Sequence, residues 1–80
     1  MNIKRGDLIT LSDNNQYLVI SKIFYEDKFY LYFIDMNDDK NIKFGFEKQE
    51  GDILEIIPFQ DPVLINKILP LFEKDLAGML

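Results

Sequence analysis

The sequence predicts a mainly β domain (β+α), in which a five-stranded antiparallel meander or small barrel precedes one kinked C-terminal helix. Three observations lead to this prediction. Apolar and aromatic residues form short runs of strand length, clusters of Gly, Asn and Asp separate the runs at steady intervals, and the apolar spacing becomes helical after Pro58. With 80 residues, the chain has room for a single core, so residues 1–80 are expected to form one domain.

The first two predicted strands follow Gly6 and cover residues 7–11 and 16–25. The segment 12–15 between them is typical of a turn, because Asn and Asp tolerate positive φ. Strict alternation along the second strand predicts one common face for five side chains. These are Tyr17, Val19, Ser21, Ile23 and Tyr25.

The other three predicted strands cover residues 29–35, 41–48 and 53–57. Residues 29–35 are apolar or aromatic on both faces, which favours the centre of the sheet. Residues 36–40 are expected to form a turn, and Gly45 is expected to mark a bulge or a bend in the fourth strand. The fifth strand is expected to end at Pro58.

The helix is predicted over residues 62–77. Asp61 is a suitable N-cap, Pro62 suits the first helical position, and Gly78 is a plausible stop. Pro70 lies inside this segment, where a proline removes a backbone hydrogen bond and clashes with the preceding turn. We expect a kink near Pro70 or a division into two short helices.

The apolar side of this helix is wider than a small sheet needs. Since contiguous exposed apolar patches mark interfaces, part of it is predicted to bind a partner protein or a second copy of the chain as a homodimer. The candidate partner-binding residues are Leu64, Ile68, Leu71, Phe72, Leu76 and Met79.

Composition restricts the environment and the partners. The chain has no cysteine, which favours a reducing cytoplasm, and no basic start followed by the apolar run of a signal peptide. It has no apolar stretch long enough to span a membrane, so no membrane association is expected. The net charge of −5 has the wrong sign for neutralising phosphates, so direct nucleic-acid binding is not expected.

Catalytic and metal-binding chemistry are not expected. The chain lacks His and Cys, and its two serines, Ser12 and Ser21, have no base candidate near them in sequence. Residues 35–40 imitate the start of a calcium loop, but Lys40 replaces the required Gly and Phe46 replaces the bidentate Glu. The sequence therefore predicts no enzyme, no metal and no cofactor.

Eight aromatic residues allow two interpretations: core packing, or a platform that stacks nucleic-acid bases. Core packing is favoured, because Glu26, Asp27 and Asp35 lie among them where a base platform needs positive charge. The eight are Tyr17, Tyr25, Phe29, Tyr30, Tyr32, Phe33, Phe44 and Phe46.

The acidic residues also allow two interpretations. They solubilise the protein, or a patch of Asp35, Asp38 and Asp39 imitates nucleic-acid phosphates and blocks a basic site on a target. The predicted function is a non-catalytic protein-interaction module. The alternative is an acidic inhibitor encoded by a phage or mobile element, because eight Lys against one Arg, with many Ile and Asn, resembles the usage of AT-rich bacteria and their phages.

The opening strand Leu8-Ile9-Thr10-Leu11, the segment YLVISKIFYEDKFYLYFID, the later apolar strand and the terminal helix together resemble the YrzB-like family of short acidic bacterial proteins. Gly6-Asp7-Leu8-Ile9 is also similar to the start of many SH3-like barrels. The strand containing Gly45-Phe46, the break at Pro70 and a smaller number of acids depart from the family pattern. The resemblance implies a small SH3-like β-barrel and no activity or site residues.

Overall fold

The computed structural model describes residues 3–78, and within them five strands precede one helix. The strands are β1 (Leu8–Thr10), β2 (Gln16–Tyr25), β3 (Lys28–Asp35), β4 (Asp38–Glu50) and β5 (Ile53–Phe59), and the helix is α1 (Pro62–Ala77). Each strand pairs antiparallel with the next, in the order β1-β2-β3-β4-β5, and the sheet curls into a half-barrel. The predicted fold class is therefore confirmed.

β3 lies at the centre of the sheet, as its apolar faces predicted. Leu31 and Phe33 are completely buried on one side of the sheet, and Tyr30 is buried on the other. The side that contains Leu31 and Phe33 is called the groove face below, and the side covered by α1 is called the helix face. A strand that contributes to both cores must be apolar or aromatic at successive positions, and residues 29–34 of β3 meet that condition.

A β-bulge at Ile20 divides β2 between these two faces, because the pairing with β3 changes register between Val19 and Ser21. Tyr17 and Val19, before the bulge, belong to the groove-face core. Ile23 and Tyr25, after it, pack on the helix face. The prediction of one common face for alternate residues from 17 to 25 was therefore wrong, because alternation carries no sign of an inserted residue.

Gly45 does not mark a bulge, because β4 pairs through it without a register shift to Leu31 on one side and Pro58 on the other. Its missing side chain reflects crowding instead. A β-carbon at this position would lie 3.0 Å from Cε1 of Phe33 and 3.1 Å from both Cγ2 of Ile56 and the carbonyl oxygen of Ile57. The glycine lets β5 and the Phe33 ring approach β4 closely.

The helix begins and ends where the sequence predicted. Oδ1 of Asp61 accepts hydrogen bonds from the N–H groups of Val63 (3.0 Å) and Leu64 (3.5 Å), which satisfies donors that a first helical turn leaves free. At the other end, the N–H of Gly78 donates to the carbonyl oxygen of Lys74. The segment forms one helix through Pro70, so the alternative of two short helices is not found.

Two cores stabilise the fold, one on each face of the sheet, so the expectation of a single core was wrong. The groove-face core consists of Leu11, Tyr17, Val19, Leu31 and Phe33, and Ile3, Ile9 and Ile56 pack against it. The helix-face core consists of Tyr30, Ile68 and Phe72 within a ring of half-buried side chains that includes Tyr32, Phe44 and Phe46. Most of the aromatic residues therefore pack in cores, as predicted, and Phe29 remains substantially exposed.

Candidate edge-strand groove

A groove separates the two outer strands of the half-barrel. β1 pairs with β2 and β5 pairs with β4, and within the described sheet these two strands have no other neighbour. The space between them has a volume of about 730 Å³ and is lined by Ile3, residues 7–12 and residues 54–58. Each outer strand therefore leaves one side of its backbone without a paired strand.

The floor of the groove is apolar, because it is the uncovered margin of the groove-face core. Ile9 and Leu11 reach it from the β1 side, and Ile56 reaches it from β5. Leu8 lies at the rim with 55% of its surface exposed. The groove thus combines apolar side chains with unpaired strand backbone, which is the combination that an added strand can cover.

The charged residues that line the groove are acidic. Asp7 lies just before β1, and Glu55 is an exposed residue of β5. Oδ2 of Asp7 accepts a hydrogen bond from the backbone N–H of Lys4 (3.0 Å). Lys48 stands opposite Glu55 in the ladder, but its ammonium group lies 3.1 Å from Glu50 instead. Among the described residues, no lysine or arginine lines the groove.

Contacts of the segment before β1 hold that wall of the groove in place. The N–H of Gly6 donates to the carbonyl oxygen of Val19 (2.9 Å), and the N–H of Val19 donates to the backbone carbonyl oxygen of Asp7 (2.9 Å). Lys22 donates from Nζ to the carbonyl oxygen of Ile3 (2.7 Å). The same ammonium group lies 2.9 Å from Oε1 of Glu47, at ion-pair distance but not aligned for a hydrogen bond.

The turn after β1 is fixed through Asp13. The hydroxyl of Tyr17 donates to Oδ2 of Asp13 (2.7 Å), and the N–H of Asn15 donates to Oδ1 (2.9 Å). These two hydrogen bonds, in that order, lower the pKa of the Asp13 carboxyl below its ordinary value, and Lys43 adds to the effect. Asp13 therefore stays ionised at neutral pH and holds the end of β1 against the groove-face core.

A second set of polar contacts joins the segment before β1 to the helix. Ser21, which is completely buried, donates from Oγ to Oδ2 of Asp75 in α1 (2.6 Å), and Arg5 forms an ion pair with the same carboxylate. The Ser21 hydrogen bond and then the Arg5 guanidinium lower the pKa of the Asp75 carboxyl. We call Arg5, Ser21 and Asp75 the latch.

The predicted partner-binding surface on the helix needs correction. Ile68 and Phe72 are buried against the sheet, so they belong to the fold and are not available to a partner. Leu64 packs against the same core. Leu71 and Leu76 are half-buried on α1, and Met79 lies outside the described residues. The helix covers the aromatic helix face with three of the six residues that were predicted to bind a partner.

The three residues of the predicted acidic patch lie in different surroundings. Asp35 is buried, and its carboxylate accepts hydrogen bonds from the N–H of Asn37 (2.9 Å) and from Nδ2 of Asn41 (3.3 Å). Asp38 and Asp39 are exposed at the start of β4, which begins three residues earlier than predicted. Asp35 therefore holds the β3–β4 turn together and does not present its carboxylate to a partner.

Sequence reasoning missed the groove, although two signals pointed towards it. The first predicted strand is short, and Pro58 lies at the end of the last predicted strand. In the structure β5 continues through Pro58 to Phe59, and a proline inside a strand indicates an outer strand of a sheet. The curl that brings β1 and β5 to either side of one space has no local sequence signal.

Within residues 3–78, no group of three or more acidic, His or Cys side chains is arranged to hold a metal ion. The described helix is too short and too polar to cross a membrane. The resemblance to YrzB-like proteins stays a prediction. In comparisons with known proteins, no family model, no curated protein and no solved structure matches this chain.

Proposed function

We propose that this protein is a non-catalytic protein-interaction module whose groove binds an extended segment of a partner protein as an added strand. The observation that carries the proposal is the position of two unpaired outer strands on either side of an apolar groove. Strand addition uses such edges, because main-chain hydrogen bonds supply affinity while alternate side chains fill pockets.

The position of Pro58 identifies the part of β5 that can pair with such a segment. Proline has no N–H, and in outer strands its nitrogen faces away from the neighbouring strand. Pro58 pairs with Gly45 of β4. Since it has no N–H to donate to that strand, we expect its nitrogen to face the open side. Backbone groups of every second residue point to the same side, so we expect Leu54 and Ile56 to present N–H and C=O groups to the groove.

The length of this edge sets the length of the bound segment. From Ile53 to Ile57, before the proline, β5 offers five residues, which span roughly 17 Å in an extended chain. A partner segment of about five to seven residues would cover this edge. Every second side chain of that segment would face Ile9, Leu11 and Ile56, so these side chains should be apolar.

The test begins with a random peptide library displayed on phage. A selected peptide is titrated into the protein, and amide signals of β1 and β5 are followed by NMR. Leu8→Ser should weaken binding about tenfold, because Leu8 lies at the groove rim and would lose its apolar contact with the segment. Leu8 is already 55% exposed, so this change should leave the fold intact.

Val63→Ser is the matched control. Val63 is an apolar residue of α1 that is 65% exposed and does not line the groove. It should keep the affinity of the unchanged protein. Equal affinities for the two variants, or a library that yields no peptide shifting the β1 and β5 signals, would contradict the proposed function.

The alternative function, an acidic inhibitor that imitates nucleic acid, is not what the geometry favours. The exposed acids are spread over the surface. Some lie in or beside four different turns, at Asp13, Asp27, Asp39 and Asp52, and others lie on β5 at Glu55 and on α1 at Glu73. Asp35, which was expected to complete a patch with Asp38 and Asp39, is buried. As the setting of the binding function we propose the cytoplasm, whose reducing conditions suit a cysteine-free chain.

A further inference from the structure

The two walls of the groove have the same strand sense within the sheet. Each strand of the sheet is antiparallel to its neighbour, and β1 and β5 are separated by three strands. The direction therefore reverses four times between them and returns to its starting sense. A strand placed in the groove must be antiparallel to both walls or parallel to both.

This inference rests on the proposed strand addition. We infer that the groove accepts an internal, extended segment that runs antiparallel to β1 and β5 and carries a lysine or arginine in its C-terminal half. Antiparallel pairing is the slightly more stable arrangement, and it continues the pattern of the whole sheet. A segment in this direction has the same antiparallel relation to either wall with which it pairs.

The position of the carboxylates gives the place of the basic residue. Asp7 precedes β1, and Glu55 is the third residue of β5, so both lie towards the N-terminal ends of the two walls. An antiparallel segment brings its C-terminal half to this end of the groove. Asp7 is in phase with Ile9 on the groove face, and Glu55 is in phase with Phe59 on the helix face. A cation on either face of the segment therefore meets one carboxylate. The free carboxylate of a chain terminus would be repelled there, which favours an internal segment.

Two synthetic peptides test the position of the charge. Each has about nine residues of alternating valine and threonine, with both ends blocked, and one lysine placed either near the C-terminus or near the N-terminus. The peptide with the C-terminal lysine should bind roughly 2- to 5-fold more tightly, as expected for one exposed ion pair. Its advantage should diminish as salt concentration rises.

Matched variants test whether the preference for the C-terminal lysine depends on the carboxylates of the groove. The double substitution Asp7→Asn with Glu55→Gln should remove it, and Asn at position 7 keeps an oxygen that can accept the Lys4 hydrogen bond. The control is Asp38→Asn with Asp39→Asn, which makes the same change in net charge at the β3–β4 turn, outside the groove lining. The control should keep the preference for the C-terminal lysine.

A nitroxide label on the N-terminus of the tighter peptide tests its direction. An antiparallel peptide places the label near the C-terminal ends of both walls, so the amide signals of Thr10, Ser12 and Phe59 should broaden more than those of Leu54 and Glu55. The reverse pattern, or a preference that survives the Asp7 and Glu55 changes, would overturn the inference.

The outcome with Leu8→Ser separates this inference from the proposed function. If Leu8→Ser weakens both peptides while the direction or the charge preference is wrong, the groove binds a strand and only the inferred chemistry fails. If Leu8→Ser changes neither affinity, both the inference and the proposed function fail.

Discussion

Among the four glycines of the chain, Gly45 is the one where an added β-carbon would meet the closest neighbours. Its neighbours are the Phe33 ring of the groove-face core and two residues of β5 that flank the groove. The carbonyl oxygen of Ile57 belongs to the ladder with β4 and cannot move without loss of pairing. The absence of a side chain at position 45 therefore sets how closely β5 approaches the core.

Gly45→Ala should lower the free energy of unfolding by about 1–2 kcal/mol, because the overpacking outweighs the smaller gain from a less flexible unfolded chain. Urea unfolding followed by circular dichroism measures the change.

Gly78→Ala is the control for this change. A β-carbon at Gly78 would meet its nearest neighbour, the carbonyl oxygen of Asp75, at an ordinary 3.4 Å, and the backbone there is right-handed with φ of −67°. This variant should be as stable as the unchanged protein or slightly more so. Equal loss of stability in both variants would show that crowding is not the reason for Gly45.

At the scale of single elements, α1 tolerates an internal proline that its own sequence argues against. The helix continues through Pro70, which is exposed, so the missing N–H and the strained turn face solvent. Ile68 and Phe72, on either side of the proline, are buried and anchor both halves of the helix to the sheet. Tertiary packing therefore overrides a local preference worth about 3 kcal/mol.

Pro70→Ala should raise the free energy of unfolding by about 1–3 kcal/mol, because alanine restores the backbone donor and is the best helix former. Thermal unfolding measures the change. Pro62→Ala serves as the control, since Pro62 stands at the first helical position, where its N–H would be free in any case. Equal stabilisation by both substitutions would contradict this account.

The bounds of some strands and of the helix could be predicted from the sequence, whereas the bulge in β2 could not. Strand and helix bounds follow from local patterns, so α1 and β2 were predicted with the bounds that the structure has. The bulge at Ile20 was not predicted, because residues 17–20 are apolar on both faces and the pattern therefore carries no mark of an inserted residue. Half of the β2 side chains were therefore assigned to the wrong face.

The candidate site was less predictable than the elements. The helix residues Ile68 and Phe72 were assigned to a partner because the sequence does not show how much aromatic surface the helix face presents. The structure shows that this aromatic surface is large enough to need the apolar side of α1 as its cover. The groove depends on the curl of the sheet, which brings residues about 45 positions apart, such as Ile9 and Ile56, to one space.

At the scale of the whole molecule, the latch joins three parts that are distant in sequence. Arg5 precedes β1, Ser21 follows the bulge in β2, and Asp75 lies near the end of α1. Arg5 and Ser21 both contact the carboxylate of Asp75. The negative charge of Asp75 therefore couples the packing of α1 to the position of the segment before β1.

Ser21→Ala should lower the free energy of unfolding at neutral pH by about 1–2 kcal/mol, since it removes a hydrogen bond to an ionised group from a buried donor. The pKa of Asp75 is lowered in the folded protein, so the stability linked to its charge is present above the pKa of the unfolded state. That stability is lost as pH falls through the folded pKa.

The difference between the unchanged protein and Ser21→Ala should therefore diminish on acidification. Urea unfolding of both proteins between about pH 3 and pH 7 measures it, and the comparison cancels the titration of Asp13, which both proteins share. A difference that stays constant across this range would show that the Asp75 charge is not what Ser21 stabilises.

The bulge at Ile20 has a consequence for how the molecule unfolds. Because one continuous strand supplies Tyr17 and Val19 to one core and Ile23 and Tyr25 to the other, neither core can lose β2 without loosening its counterpart. Both cores therefore depend on the same strand, β2. We therefore expect them to melt together in one cooperative transition, although the sheet keeps them apart.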